Sequence, residues 1–189
     1  LGLHLLQILS ATNLPVRHPP NDIINTSLLP HQAEGMAFLL DCECFGLSAQ
    51  SLWRQYQQSN IFFWDNIVSC QSIGFQSSKT NPESPLGSIL ADDMGLGKSL
   101  HFILLISSTL SLARSFMTST TDNANPQNRL QATLIICPPQ LLNNWIEEIH
   151  KHANMSKLTV IRYHGSPRNT LTYTSLSSAH VVVTTYNTV

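Results

Sequence analysis

The chain has 189 residues and a formal net charge of −1, with 10 Lys and Arg against 11 Asp and Glu. That balance excludes nucleic-acid affinity from bulk electrostatics, because no cationic excess exists to neutralise phosphates in quantity. Hydrophobic residues make up 42% and charged residues 11% of the chain, which excludes wholesale disorder and leaves Ser, Thr, Asn and Gln to supply the polarity.

In chain order, residues 1–27 read as an N-terminal extension. Leu1 to Ala11 is apolar but lacks the basic start of a signal peptide. The chain opens on Leu1 without a methionine, so it reads as an excised or incomplete piece. Pro15, Pro19 and Pro20 interrupt any regular element. Pro30 then opens an amphipathic helix to about Cys42, at a position where its missing N–H costs nothing. Residues 43–85 form a polar insertion carrying Trp53, Tyr56, Phe62, Phe63 and Trp64, an aromatic density that predicts packing. Ser88 to Ala91 has the short apolar run of a buried strand. A glycine-rich turn and a helix from Lys98 to about Phe116 follow. Its apolar stretch, Leu100 to Ala113, is about 14 residues long. That is short of the ~20 a membrane span needs, and it predicts a core helix.

Residues 117–130 are Thr, Asn, Gln and Pro with almost no hydrophobe, the composition of a mobile loop. Thr133 to Cys137 reads as a second buried strand, stopped by Pro138-Pro139. Leu141, Leu142, Trp145, Ile146 and Ile149 recur at helical spacing, with Trp145 placed in the core and Glu147 and Glu148 outward. Leu158 to Tyr163 and His180 to Thr184 complete four expected strands. Continuous apolar strands alternating with helices predict an α/β fold, a parallel sheet flanked by helices on both faces. The cysteines, Cys42, Cys44, Cys70 and Cys137, show no zinc or disulfide spacing and suit a reducing compartment. His31, His150, His152 and His164 have no metal-site spacing either.

The strongest chemical signal is Asp92-Asp93-Met94-Gly95-Leu96-Gly97-Lys98-Ser99, between the expected strand and helix. Gly95 and Gly97 let successive backbone N–H groups converge, and the helix N-terminus adds its positive dipole, so the turn binds an anion. Lys98 can reach outer phosphates and the Ser99 hydroxyl can ligate magnesium. Asp92 stands where the general motif has glycine. A turn of this kind can also merely join a strand to a helix, but a lysine at a helix start opposes the dipole unless an anion accompanies it.

Ile89 to Ser99 resembles the nucleotide-binding motif of the Swi/Snf (sucrose-non-fermenting) DNA-dependent ATPases. Leu28-Leu29-Pro30-His31-Gln32-Ala33-Glu34-Gly35 resembles that family's upstream element, in which the glutamine is associated with adenine recognition. Leu134 to Pro138 with Asn144-Trp145, Tyr163-His164-Gly165, and Val181 to Tyr186 resemble its next three elements, in the same order. The insertion with Leu52-Trp53 resembles the branch containing helicase-like transcription factor and the fungal post-replication repair proteins.

The resemblance implies a truncated first RecA-like helicase lobe of the P-loop NTPase class over residues 28–189. It implies ATP and magnesium as ligands, held by Gln32 and by the run Asp92, Asp93, Met94, Gly95, Leu96, Gly97, Lys98, Ser99 and Leu100. Lys98 and Ser99 would be the catalytic members. It further implies double-stranded DNA as partner, action in chromatin remodelling or repair, and the nucleus as location. The acidic box and second lobe of such motors are not within these residues, so little turnover is expected from the chain alone. For DNA, Asn144 and the strand end Thr184-Thr185-Tyr186 are the candidates, because α/β sheets place ligands at strand ends. Hydroxyls there could bond phosphates without reading bases; a strand simply ending in β-formers is the alternative reading. Two other readings stay open: a non-catalytic DNA- or protein-binding module with a relic phosphate loop, and an unrelated P-loop kinase.

Overall fold

The computed structural model describes residues 19–20, 22–45, 87–118 and 129–189, and three strands between 53 and 75 by their backbone. The chain divides into two compact units, one of Leu1–Val16 with Ala37–Ala91 and one of Arg17–Met36 with Asp92–Val189. Helix α1, Pro30–Phe45, begins in the second and ends in the first.

In the first unit the aromatic insertion forms an antiparallel meander of β1 (Trp53–Gln58), β2 (Ile61–Asn66) and β3 (Ser72–Phe75). Its register sets Trp53 opposite Asn66 and Phe62 opposite Phe75. Phe, Tyr and Trp favour such pleated surfaces, so the aromatic content that predicted packing takes the form of a sheet. Residues 88–91 correct an expectation: they form no strand, and Ile89 is 88% exposed. An apolar run becomes a strand only when a neighbour takes its backbone N–H and C=O groups, and the run itself does not specify that neighbour.

The second unit holds α2 (Lys98–Thr118), β4 (Thr133–Cys137), α3 (Leu142–His152), β5 (Val160–Arg162), a short α4 (Tyr173–Ser178) and β6 (Val181–Thr185). Its sheet is parallel, in the order β4-β6-β5, with Thr133 opposite Val181 and Val160 opposite Val181. Three of the four expected strands are therefore present, Thr133–Cys137 in the expected bounds and the other two in slightly shifted ones. Central β6 is buried along its whole length, as a strand covered on both faces must be. Edge strand β4 departs from the fully buried expectation, with Leu134 51% and Ile136 38% exposed.

Helix α2 buries Leu100, His101, Ile103, Leu104, Leu105, Ile106, Ser107 and Leu110. At 21 residues it is long and apolar enough to meet the criteria for crossing a membrane, and burial of this face accounts for its composition. Of the predicted stripe on α3, Leu142 and Ile149 are buried, whereas Leu141 is exposed in the preceding 3-10 turn. Trp145 is only half-buried, with its ring edge against Phe102 at 6.3 Å, so its placement in the core is corrected. Of the predicted mobile loop, residues 117 and 118 belong to α2, and 119–128 lie outside the described residues. Arg129 is buried, with its guanidinium 5.2 Å from the centre of the Phe116 ring.

Candidate functional site

The turn entering α2 has Gly95 at φ 90° and Gly97 at φ 84°, left-handed backbone that residues with a Cβ rarely adopt. The loop bends there, and the N–H groups of the first helical turn have no intrahelical partners. Met94, Leu96, Asp92 and Asp93 are exposed, Ser99 is half-buried, and Leu100 is buried beneath them. Lys98 folds back over the loop, its Nζ donating to the carbonyl oxygens of Asp92 at 2.8 Å and Asp93 at 2.9 Å. The ammonium is thus held above the helix N-terminus. This donor set, one ammonium and a turn of free amides, fits an outer phosphate group.

Gln32 is 8% exposed and serves two neighbours. Its Oε1 accepts from the Leu29 N–H at 3.0 Å. Leu29 precedes Pro30, so Gln32 reaches back from the third helical position to cap the start of α1. Its amide nitrogen lies against Gly97, 2.9 Å from where a Cβ would stand. Gly97 is therefore required by its φ, and its missing side chain leaves room for the glutamine amide. Gln32 and the loop at 92–99 thus adjoin one another.

Sequence reasoning missed His101. It is fully buried one turn into α2, and its Nδ1 donates to the Gly97 carbonyl at 3.0 Å. Its Nε2 is buried with no hydrogen-bond partner and faces Gly35, where an added Cβ would lie 2.5 Å away. The His31 ring sits 6.4 Å from it. The Gly35–His101 contact thus sets how closely α1 approaches the start of α2. The available signal was the spacing, since a side chain at i+4 reaches a carbonyl at i.

The strand-end residues part company. Asn144 and Tyr186 are exposed, Tyr186 by 65%. Thr184 and Thr185 are buried at 1% and 0%. The Thr184 hydroxyl donates to the Tyr163 carbonyl at 2.7 Å. That of Thr185 lies 3.2 Å from His164 Nδ1 and 3.0 Å from Thr188 Oγ1. Both hydroxyls knit the loops at Tyr163-His164 and Asn187-Thr188 to β6 rather than facing solvent. Cys137 is buried beside them, its thiol donating to the Thr184 carbonyl at 3.6 Å. Burial pushes that thiol above its ordinary range, which suits an inert core group.

Residues 31–189 match the model of the SNF2-related domain. A SWI/SNF-related matrix-associated actin-dependent regulator of chromatin, subfamily A member 3-like, from Arabidopsis thaliana is 28% identical over 93% of this chain and 22% of its own length. The DNA repair and recombination protein RAD54 of Saccharomyces cerevisiae is 32% identical over 73% of this chain and 14% of its own. The DNA repair protein RAD5 of Candida glabrata is 25% identical over 90% of this chain and 19% of its own. The chain therefore spans under a quarter of the length of these relatives.

Proposed function

Because the chain belongs to the SNF2-related domain family, we propose that it is the ATP-binding portion of a DNA-dependent ATPase that works on double-stranded DNA in the nucleus. The observation that carries this reading is the loop at 92–99, where Lys98 Nζ is held within 2.9 Å of two loop carbonyls over the start of α2. Lys98 would exchange those carbonyls for outer phosphate oxygens, and the amides of the first turn of α2 would hold the inner ones. The nucleotide with its magnesium would supply the transferable phosphoryl group and the metal's charge, with the Ser99 hydroxyl as the protein's ligand. Gln32, whose oxygen is committed to Leu29, keeps its amide nitrogen as a donor for the purine. No Asp-Glu pair follows the loop in these residues, so these residues by themselves are proposed to bind nucleotide with little turnover.

Calorimetry with Mg-ATP tests this. The parent chain should bind, and Lys98→Ala should weaken affinity by about 1.5–3 kcal/mol, the worth of a charge-assisted bond, without changing the melting temperature. Equal affinity in the variant would place the phosphates elsewhere. Turnover of about 1 per second or faster would contradict the binding-only role.

For DNA, the exposed groups Asn144 and Tyr186 are the proposed phosphate contacts, with Thr184 and Thr185 holding the segment that bears Tyr186. Such contacts are independent of sequence, and with few cations the salt dependence should be shallow. Titration of two unrelated duplexes at two salt concentrations should give similar weak affinities, reduced in Asn144→Ala and Tyr186→Phe. A strong preference for one duplex would contradict it.

A further inference from the structure

The far end of α2 carries a second cationic feature. Lys98 and Arg114 are ~24 Å apart along the helix at ~1.5 Å per residue, so this feature is distinct from the phosphate loop. Within the second unit, a cavity of about 320 Å³ is lined by Asp22, Ser108, Ser111, Arg114 and Lys157 among others. Its cations are Arg114 and Lys157, and its one carboxylate is Asp22. Lys157 Nζ stands 3.7 Å from Asp22 Oδ2, with both side chains more than half exposed. A pair so long and so wet holds its partners weakly, so Lys157 is available to another anion.

Arg114 is more informative. Its Nη2 lies 3.4 Å from His180 Nε2. His180 Nδ1 accepts the Thr159 backbone N–H at 3.0 Å. A backbone N–H can only donate, so Nδ1 is the bare nitrogen and Nε2 carries the ring proton. Arg114 and His180 therefore face each other donor to donor, and neither satisfies the other. Burial first, and then the Arg114 charge, hold the imidazole below its ordinary pKa, which keeps the ring in this one-proton form near neutral pH. An oxygen placed against both N–H groups would accept from each.

We propose that the Arg114 end of this cavity is a phosphate-binding site, in which Arg114 and the Nε2–H of the adjoining His180 hold a dianionic phosphate group, with Lys157 as the second cation of the cavity lining. A tetrahedral phosphate has enough oxygens to serve a guanidinium, an imidazole N–H and an ammonium together, where a carboxylate has two. The group could arrive as free phosphate or on a phosphorylated serine, and the chemistry of the cavity is the same for both.

The experiment uses the whole 189-residue chain carrying Lys98→Ala, so that the loop at 92–99 does not contribute. Inorganic phosphate is titrated by calorimetry and by ring-nitrogen NMR of His180. Saturable binding with a shift of the His180 Nε2–H resonance is expected. Arg114→Gln, at an exposed position, should weaken it at least tenfold, and Lys157→Gln repeats the reading should Arg114→Gln melt early. Asp22→Asn should tighten binding by removing the competing carboxylate. A phosphoserine hexapeptide binding more tightly than phosphate would identify a phosphorylated segment as the source, and weaker binding would identify free phosphate. Absence of saturation, or affinity unchanged in both Arg114→Gln and Lys157→Gln, would overturn the site.

Discussion

Gly35 and His101 show how one missing methyl group shapes a site. The imidazole occupies the space in which a Cβ at Gly35 would stand, and its Nδ1 anchors the Gly97 carbonyl. Replacing Gly35 with Ala must push the ring or α1 aside, and overpacking of that kind costs ~1–3 kcal/mol. The melting temperature of Gly35→Ala should fall by ~2–4 °C per kcal/mol for a domain of this size. The cost should largely vanish when His101→Ala is added, because residues in contact do not add. An undiminished cost in the double variant would assign it to the backbone of α1 instead. The buried threonines follow the same logic: their hydroxyls satisfy the Tyr163 carbonyl and the His164 ring, so the chemistry that made them candidates for DNA is spent inside the protein.

Among the elements, β4 and α2 stand at opposite poles. Helix α2 buries a continuous apolar face and stacks its first turn under the loop, so its composition and its place agree. Strand β4 pairs only with β6 among the described residues, and it presents Leu134 and Ile136 to solvent. An exposed apolar edge strand is a template for pairing with another chain. The isolated chain should therefore scatter light increasingly with concentration, and Leu134→Lys with Ile136→Lys should suppress this while leaving the melting temperature within a few degrees. Unaltered scattering in that variant would locate the sticky surface elsewhere, with exposed Leu112 and Phe116 on α2 the next to replace.

For the whole molecule, His180 ties together the starts of all three parallel strands. Its N–H donates to the Thr159 carbonyl at 2.9 Å, its carbonyl accepts from the Thr133 N–H at 2.9 Å, and its ring accepts from the Thr159 N–H at 3.0 Å. Its pKa is lowered in the fold, by burial and then by Arg114, so the unfolded chain takes up this proton more readily. The stability it contributes is present above the ordinary value of 6.5 and is lost as pH falls from there toward the folded value. Chemical denaturation at pH 7.5 and 5.5 should show the parent losing more stability than His180→Gln, which has no proton to gain. Equal losses would mean that the ring is not held in its one-proton form.

The glycine-rich loop, the helix behind it and the alternation of strands with helices are legible in the sequence, because each depends on neighbours along the chain. Gly95 and Gly97 adopt the left-handed backbone that glycine permits, and α2 spans nearly the residues its apolar spacing marks. The roles of Gln32, His101, Thr184 and Thr185 were decided by tertiary structure. A glutamine beside a helix start becomes a cap that touches Gly97 only once α1 lies against α2. A histidine in an apolar run becomes a support for the loop only when Gly35 makes room for it. A threonine at a strand end becomes internal when a loop from another strand offers its carbonyl. Ser88 to Ala91 has the composition of a strand and is not one. Periodicity records which side chains can be buried, while the identity of the group that buries or bonds them is a property of contacts distant in sequence.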